Sequence, residues 1–276
     1  MNFRFSTMAV LAAGMVLFSL MARQAALKGS AAANLKNGPD TPRSAEVGST
    51  PVLVELFTSE GCSSCPPADA LLSRLLRTQP VRGADIIALE EHVNYWDNLG
   101  WKDPFSSDAA TARQSEYEEA FGGKEIYTPQ MIVDGRTEFV GSSDSDALRA
   151  IRASSQSPKP EVQLSWGKDD TLAIHMEPFT NAGQGEGLQL FLVVAENMLH
   201  SDVKHGENSG RALEHNGVVR QLLPLGKIDA TSSGFSSSVA VHPAREWNRA
   251  NLRVVVFVQE RRSRHVLAAA AIPFPS

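Results

Sequence analysis

Apolar positions fall along this chain in three regimes. From Met8 to Ala22 they form one unbroken run behind a lone arginine. From about Thr50 to Ser155 they alternate between short solid runs and helically spaced sets. From 158 onward they come as successive strand-length runs, punctuated by Gly, Ser and Asn.

The first run, about 15 residues long, is short of the roughly 20 that a membrane-spanning helix needs. It fits the apolar region of a secretory signal, so 1–22 reads as a signal peptide or an uncleaved anchor. Residues 23–49, rich in Ala, Gly, Ser and Pro, read as a flexible linker. The remainder is then expected outside the cytoplasm, periplasmic or secreted, touching a membrane only through an uncleaved anchor.

In the second regime, PVLVELF (51–57) has the solid apolar pattern of a buried strand. PPADALLSRLLR (66–77) starts with prolines and carries Leu71, Leu72, Leu75 and Leu76 at helical spacing. ADIIALEEHV (84–93) reads as a second strand, parallel to the first through a right-handed crossover. A helix over 106–120 stops at Gly122-Gly123. Residues 130–141 form a hairpin around Asp134-Gly135, and 143–154 form a third helix. The order is β-α-β-α-β-β-α over 50–155. The third regime predicts strands at 161–166, 171–177, 187–195, 236–241, 252–260 and 264–272, a mainly antiparallel β domain over 156–276.

Composition narrows the chemistry. The 276 residues are 42% hydrophobic and 21% charged, with a net charge of −5, which excludes fibrous and wholly disordered chains and gives no basic field for nucleic acid. Two cysteines are too few for a disulfide scaffold. No nucleophile elbow, phosphate loop or dinucleotide fingerprint occurs, so no cofactor is expected. Attention falls on Thr58-Ser59-Glu60-Gly61-Cys62-Ser63-Ser64-Cys65-Pro66-Pro67-Ala68-Asp69.

Two thiols spaced by two residues can close a small disulfide ring. At a helix N-terminus, the dipole and free amides stabilise a thiolate, and Ser63 and Ser64 add donors, which lowers the pKa expected for Cys62. Glu60 and Asp69 oppose this. Three readings stay open: a redox pair; a soft-metal site in which Cys62 and Cys65, with His92, hold Cu(I); and a structural staple in a secreted binding module. Structural zinc needs four ligands, and there is no second cysteine pair.

The element order, with the cysteine pair after the first strand and Tyr127-Thr128-Pro129-Gln130 before the hairpin, resembles the thioredoxin fold. The resemblance implies Cys62 as attacking thiol, Cys65 as resolving thiol, Pro129 as a cis-proline and Thr128 as the backbone partner of an extended substrate. VELFTSEGCSSCPPADALL, HVNYWDNLGWKDPFS, YTPQMIVDG and GENSGRALEHNGVVR (206–220) are similar to the DUF1223 family of secreted, thioredoxin-like bacterial proteins. Glu90 and Glu91 stand where that pattern has apolar residues, and Asn94 where it has Asp.

Both loops that leave the carboxyl ends of the parallel strands open on one sheet edge. His92, Trp96 and Asp97 therefore face the cysteines as a proton-transfer or substrate-contacting wall, or else Tyr95, Trp96 and Trp101 pack as a lid and His92 is a hydrogen-bonded core histidine; the second reading fits these residue types better. Glu55 is a candidate proton acceptor for Cys65, although its offset differs by one residue from the buried acid of thioredoxin. Glu207, Asn208, Arg211, His215 and Asn216 form a polar stretch best read as a loop anchored by its own hydrogen bonds. Together these describe an exported thiol–disulfide oxidoreductase that exchanges disulfides with a protein partner.

Overall fold

The computed structural model describes residues 48–123, 125–179, 187–228 and 234–275. The expected signal peptide or anchor and nearly all of the linker lie outside them. The described residues form a mixed α/β fold built mostly of strands, with three α-helices.

The elements run β1 (Thr50–Thr58), α1 (Pro66–Thr78), β2 (Ala84–His92), α2 (Asp108–Phe121), β3 (Gln130–Val133), β4 (Thr137–Val140) and α3 (Asp144–Ser155). Then come β5 (Val162–Trp166), β6 (Thr171–Met176), β7 (Leu188–Glu196), β8 (Leu199–Asp202), β9 (Ala212–His215), β10 (Val218–Ile228), β11 (Phe235–Ala240), β12 (Leu252–Glu260) and β13 (Val266–Pro273). β1 and β2 pair in parallel, from Thr50 opposite Ala84 to Thr58 opposite His92, with α1 as their crossover.

One eight-stranded sheet runs β13-β12-β7-β10-β2-β1-β3-β4. Strands from before and after residue 155 thus share a single sheet, and the boundary expected there does not divide it. The join is β10 beside β2, in parallel, with Val218 opposite Glu90 and the Glu90 amide donating to Gly217 O at 2.8 Å. Gly217 has φ +78°, and a Cβ there would lie 2.7 Å from Ala88 O, so the approach of β10 requires glycine.

Strand parity sorts the core. Val52, Val54 and Leu56 of β1, with Ile86 and Ala88 of β2, pack under Leu72 and Leu75 of α1 and Ile151 of α3. The opposite parity, Phe57 and Val93, packs against Tyr117 of α2. Leu53, Ile87 and Leu89 continue that face into Phe191, Val193 and Phe257. A separate sheet, β11-β6-β5, covers β7 and β12 through Leu172, Ile174, Leu192 and Val254. Among the described residues no helix is long and apolar enough to cross a membrane.

Candidate functional site

Cys62 and Cys65 form a disulfide. Both residues are fully buried, whereas Ser63 and Ser64 between them are exposed. The Cys62 amide donates to Ser59 O and the Cys65 amide to Cys62 O, so the pair spans a tight turn. Cys65, not Cys62, is the N-cap of α1. The helix amides of Ala68 and Asp69 donate to Cys65 O, and Pro66 and Pro67 have no N–H to give. The helix N-terminus is therefore spent one turn beyond Cys62, unlike the expectation from sequence. Ser64 Oγ lies 3.3 Å from Cys62 Sγ, and the Ser63 amide donates to Glu207 Oε2 at 3.0 Å.

Asn208 fastens the turn from the far half of the chain. Its Nδ2 donates to Glu60 O and to Cys62 O, both at 2.9 Å. Trp96 Nε1 donates to Thr128 Oγ1 at 2.8 Å, and a Cβ on Gly61 would stand 3.1 Å from Trp96 Cβ. Trp96 thus joins the cysteine turn to the Thr128–Pro129 loop, whose peptide bond is cis. A Cβ on Gly141 would meet Pro129 at 3.1 Å and Ala68 of α1 at 3.3 Å, which sets Pro129 close to the start of α1.

Behind the turn lies a buried cluster of Glu60, Asp69, Glu90, His92, Asp103 and His215. Glu90 and His92 alternate on β2 and face the α1 side, on the parity of Ile86 and Ala88. His92 Nδ1 donates to Asp103 Oδ2 at 2.7 Å. His215 Nδ1 donates to Glu90 Oε1 at 2.8 Å, and the Asn216 amide donates to Glu90 Oε2 at 3.0 Å. Glu60 Oε2 accepts from Trp101 Nε1 at 2.7 Å and Ser201 Oγ at 3.1 Å. Burial alone would lower the pKa of His92, but Asp103 outweighs it and holds His92 near 10. Burial likewise opposes the charge on His215, and Glu90 and Glu60 raise it to about 11. Asp69, one turn past Cys65, accepts from Thr58 Oγ1 at 2.6 Å. Burial, reinforced by Glu90, raises its carboxyl to about 7 against the pull of His215.

Glu55 stands elsewhere. On a strand a shift of one residue reverses the face, and the one-residue offset noted in the sequence does so here. Glu55 points to the α2 side, where its carboxylate accepts from Arg113 Nε at 2.5 Å and from the Tyr117 hydroxyl. Arg113 also lies over the Phe191 and Phe257 rings, 5.5 and 5.1 Å from their centroids. Glu91 shares this pocket, with Oε1 3.8 Å from Arg113 Nε, and burial raises it to about 8 despite that cation. Asp97 turns away too, accepting from the Asp103 amide and Ser106 Oγ.

The structure therefore gathers Cys62, Cys65, Ser63, Ser64, Trp96, Thr128 and Pro129 around one turn, sets His92 behind it, and leaves Glu55 and Asp97 outside. Asp69 is the buried acid on the cysteine side. Its place one turn after Cys65 was readable as helical spacing. Arg113 carried no sequence signal, being one basic residue in a polar helix.

The family model described as "Protein of unknown function (DUF1223)" matches residues 53–259. The chain belongs to the DUF1223 family. The match spans both the cysteine turn and the His215 loop. Protein AGR_C_4864 from Agrobacterium tumefaciens, known by crystal structure, is similar at 25% identity and a TM-score of 0.63, over 81% of this chain and 94% of that one. A domain of the outer membrane lipoprotein Omp28 from Porphyromonas gingivalis aligns over 42% of this DUF1223 chain and 88% of its own, at 9% identity and a TM-score of 0.25. No curated protein matches the chain.

Proposed function

We propose that this DUF1223 protein is an exported, thioredoxin-like thiol–disulfide exchange protein. The carrying observation is the oxidised Cys62–Cys65 pair between β1 and α1, with the neutral-range acid Asp69 one turn behind it. Support for the thioredoxin-like reading comes from the order β-α-β-α-β-β-α and from Pro129 beside the start of α1. A disulfide also suits an oxidising compartment.

In the exchange, a partner's thiolate attacks Cys62 Sγ. The Cys62–Cys65 bond breaks, and the electron pair leaves on Cys65, which takes the proton of Asp69. The partner's second thiolate then attacks its own sulfur in the mixed disulfide and releases Cys62 as a thiolate, which takes a proton from water. The partner leaves oxidised by two electrons and this chain reduced by two; run backward, the same steps reduce a partner. Thr128 and Pro129 supply the backbone that holds the partner segment.

Complete burial of both cysteines gives one rival reading its force: a staple that never exchanges. Under the exchange reading, the Glu207–Asn208 loop must lift. A redox titration of the mature protein separates the two. A potential between about −120 and −270 mV marks an exchanging pair, and one below about −300 mV marks a staple. Asn208→Ala removes two hydrogen bonds worth about 1–3 kcal/mol together, so reduction by dithiothreitol should speed up roughly 5- to 150-fold. An unchanged rate would show that this loop does not guard the disulfide.

A further inference from the structure

In the cluster behind the disulfide, three polar atoms are buried without a hydrogen-bond partner: Glu60 Oε1, His92 Nε2 and His215 Nε2. The last is 3.3 Å from Glu60 Oε1, and His92 Nε2 is 3.6 Å from Glu90 Oε1, neither aligned as a hydrogen bond. Leaving a buried polar group unpaired costs about 1–3 kcal/mol. Three such atoms in one buried cluster leave it with donors to spare for an occupant.

The other side of each ring is already committed. His92 Nδ1–H is held by Asp103, which also accepts from the Glu60 amide and the Phe105 amide. A carboxylate on Nδ1 aims Nε2 inward, the usual arrangement of a metal-ligating histidine, and an ion there takes the place of the Nε2 proton. His92, His215 and Glu90 each bring a ligand atom within 4.8 Å of the others. Donors around a tetrahedral ion at about 2.0–2.2 Å stand roughly 3.3–3.5 Å apart, so small side-chain shifts close the set.

We propose that Glu90, His92 and His215 form a buried binding site for a divalent transition-metal ion of the zinc type, through Glu90 Oε1, His92 Nε2 and His215 Nδ1, with Glu60 on the far nitrogen of His215. Once the ion has displaced a proton from each ring, the two imidazoles, with the Glu90 and Glu60 carboxylates, balance the charge of a dication. Imidazole and carboxylate donors suit zinc-type ions. The site contains no cysteine and does not depend on the exchange reading of the disulfide. Its ligands come from β2 and β9, so the ion would tie two distant parts of the chain together.

The test uses the full mature chain, refolded under oxidising conditions with zinc chloride, freed of loose metal by gel filtration, then unfolded and its zinc counted. About one equivalent per chain is expected. His92→Gln and His215→Gln should each weaken retention by more than the roughly 10- to 100-fold that loss of an outer-shell partner costs, and the Cys62→Ser/Cys65→Ser double variant should keep the metal. Should the histidine variants fail to fold, the wild type refolded with cobalt(II) answers instead: intense visible bands without sulfur charge transfer indicate four-coordinate nitrogen and oxygen donors. A folded wild type that retains no more zinc than the dialysis buffer, or a cobalt spectrum with sulfur ligation, would overturn the proposal.

Discussion

Glu90 and Glu91 are neighbours on β2, yet they enter opposite worlds. Glu90 faces α1 and two histidines, one of them 125 residues away in sequence. Glu91 faces α2 and one arginine wrapped by tyrosine and phenylalanine rings. The arginine pocket is tied by a single multi-dentate cation that bonds Glu55, Tyr117 and Gln259, and so links β1, α2 and β12. The histidine pocket has several donors and acceptors, a number of them unanswered, and it lies against the cysteine turn. The first arrangement suits cohesion; the second suits chemistry.

The largest effect should come from removing the arginine pocket's only cation. Arg113→Met strands Glu55 in the interior and should cost about 3–5 kcal/mol in urea unfolding. A loss under about 1 kcal/mol would mean the pocket is no keystone. Next, Glu90→Gln forfeits charged hydrogen bonds from His215 and Asn216, worth about 1.5–3 kcal/mol each, while Glu91→Gln should cost less than about 1 kcal/mol because its Oε1 has no partner. Equal losses from the two would erase the distinction between the faces. The subtlest signal is a slope. Burial raises Asp69 from 3.8 to about 7, so the native state holds a proton that the unfolded chain has released. Stability from this group is present at pH 4 and drains as pH rises to about 7, by up to about 1.4 kcal/mol per pH unit. Asp69→Asn should flatten that stretch of the stability profile relative to wild type.

The β1–α1–β2 unit was legible because its apolar runs are solid and its helix opens with prolines. β10 was not: Arg220, Gln221, Pro224 and Gly226 interrupt its pattern, and the strand is bulged at two of those places. Missing β10 hid the continuity of the sheet. Glu55 was a candidate proton acceptor as a carboxylate in a buried strand, and the one-residue offset set it on the other face. The meeting of His92 with His215 depends on β8 and β9, a short pair whose polar residues carry no alternation. The anchored-loop reading of 207–216 fits the Arg211 amide donating to Asn208 O, and Asn208 anchors the cysteine turn as well.

Asn208 also sets an order of events. A polypeptide is made from its amino end, so the cysteines exist before the residue that fastens their turn. Until that residue is made, the turn lacks this fastening and the pair is open to any oxidant it meets. Once the later residues arrive and β9 and β10 dock, the same sulfurs are shut in. The sulfurs are therefore within reach of an oxidant before they are guarded.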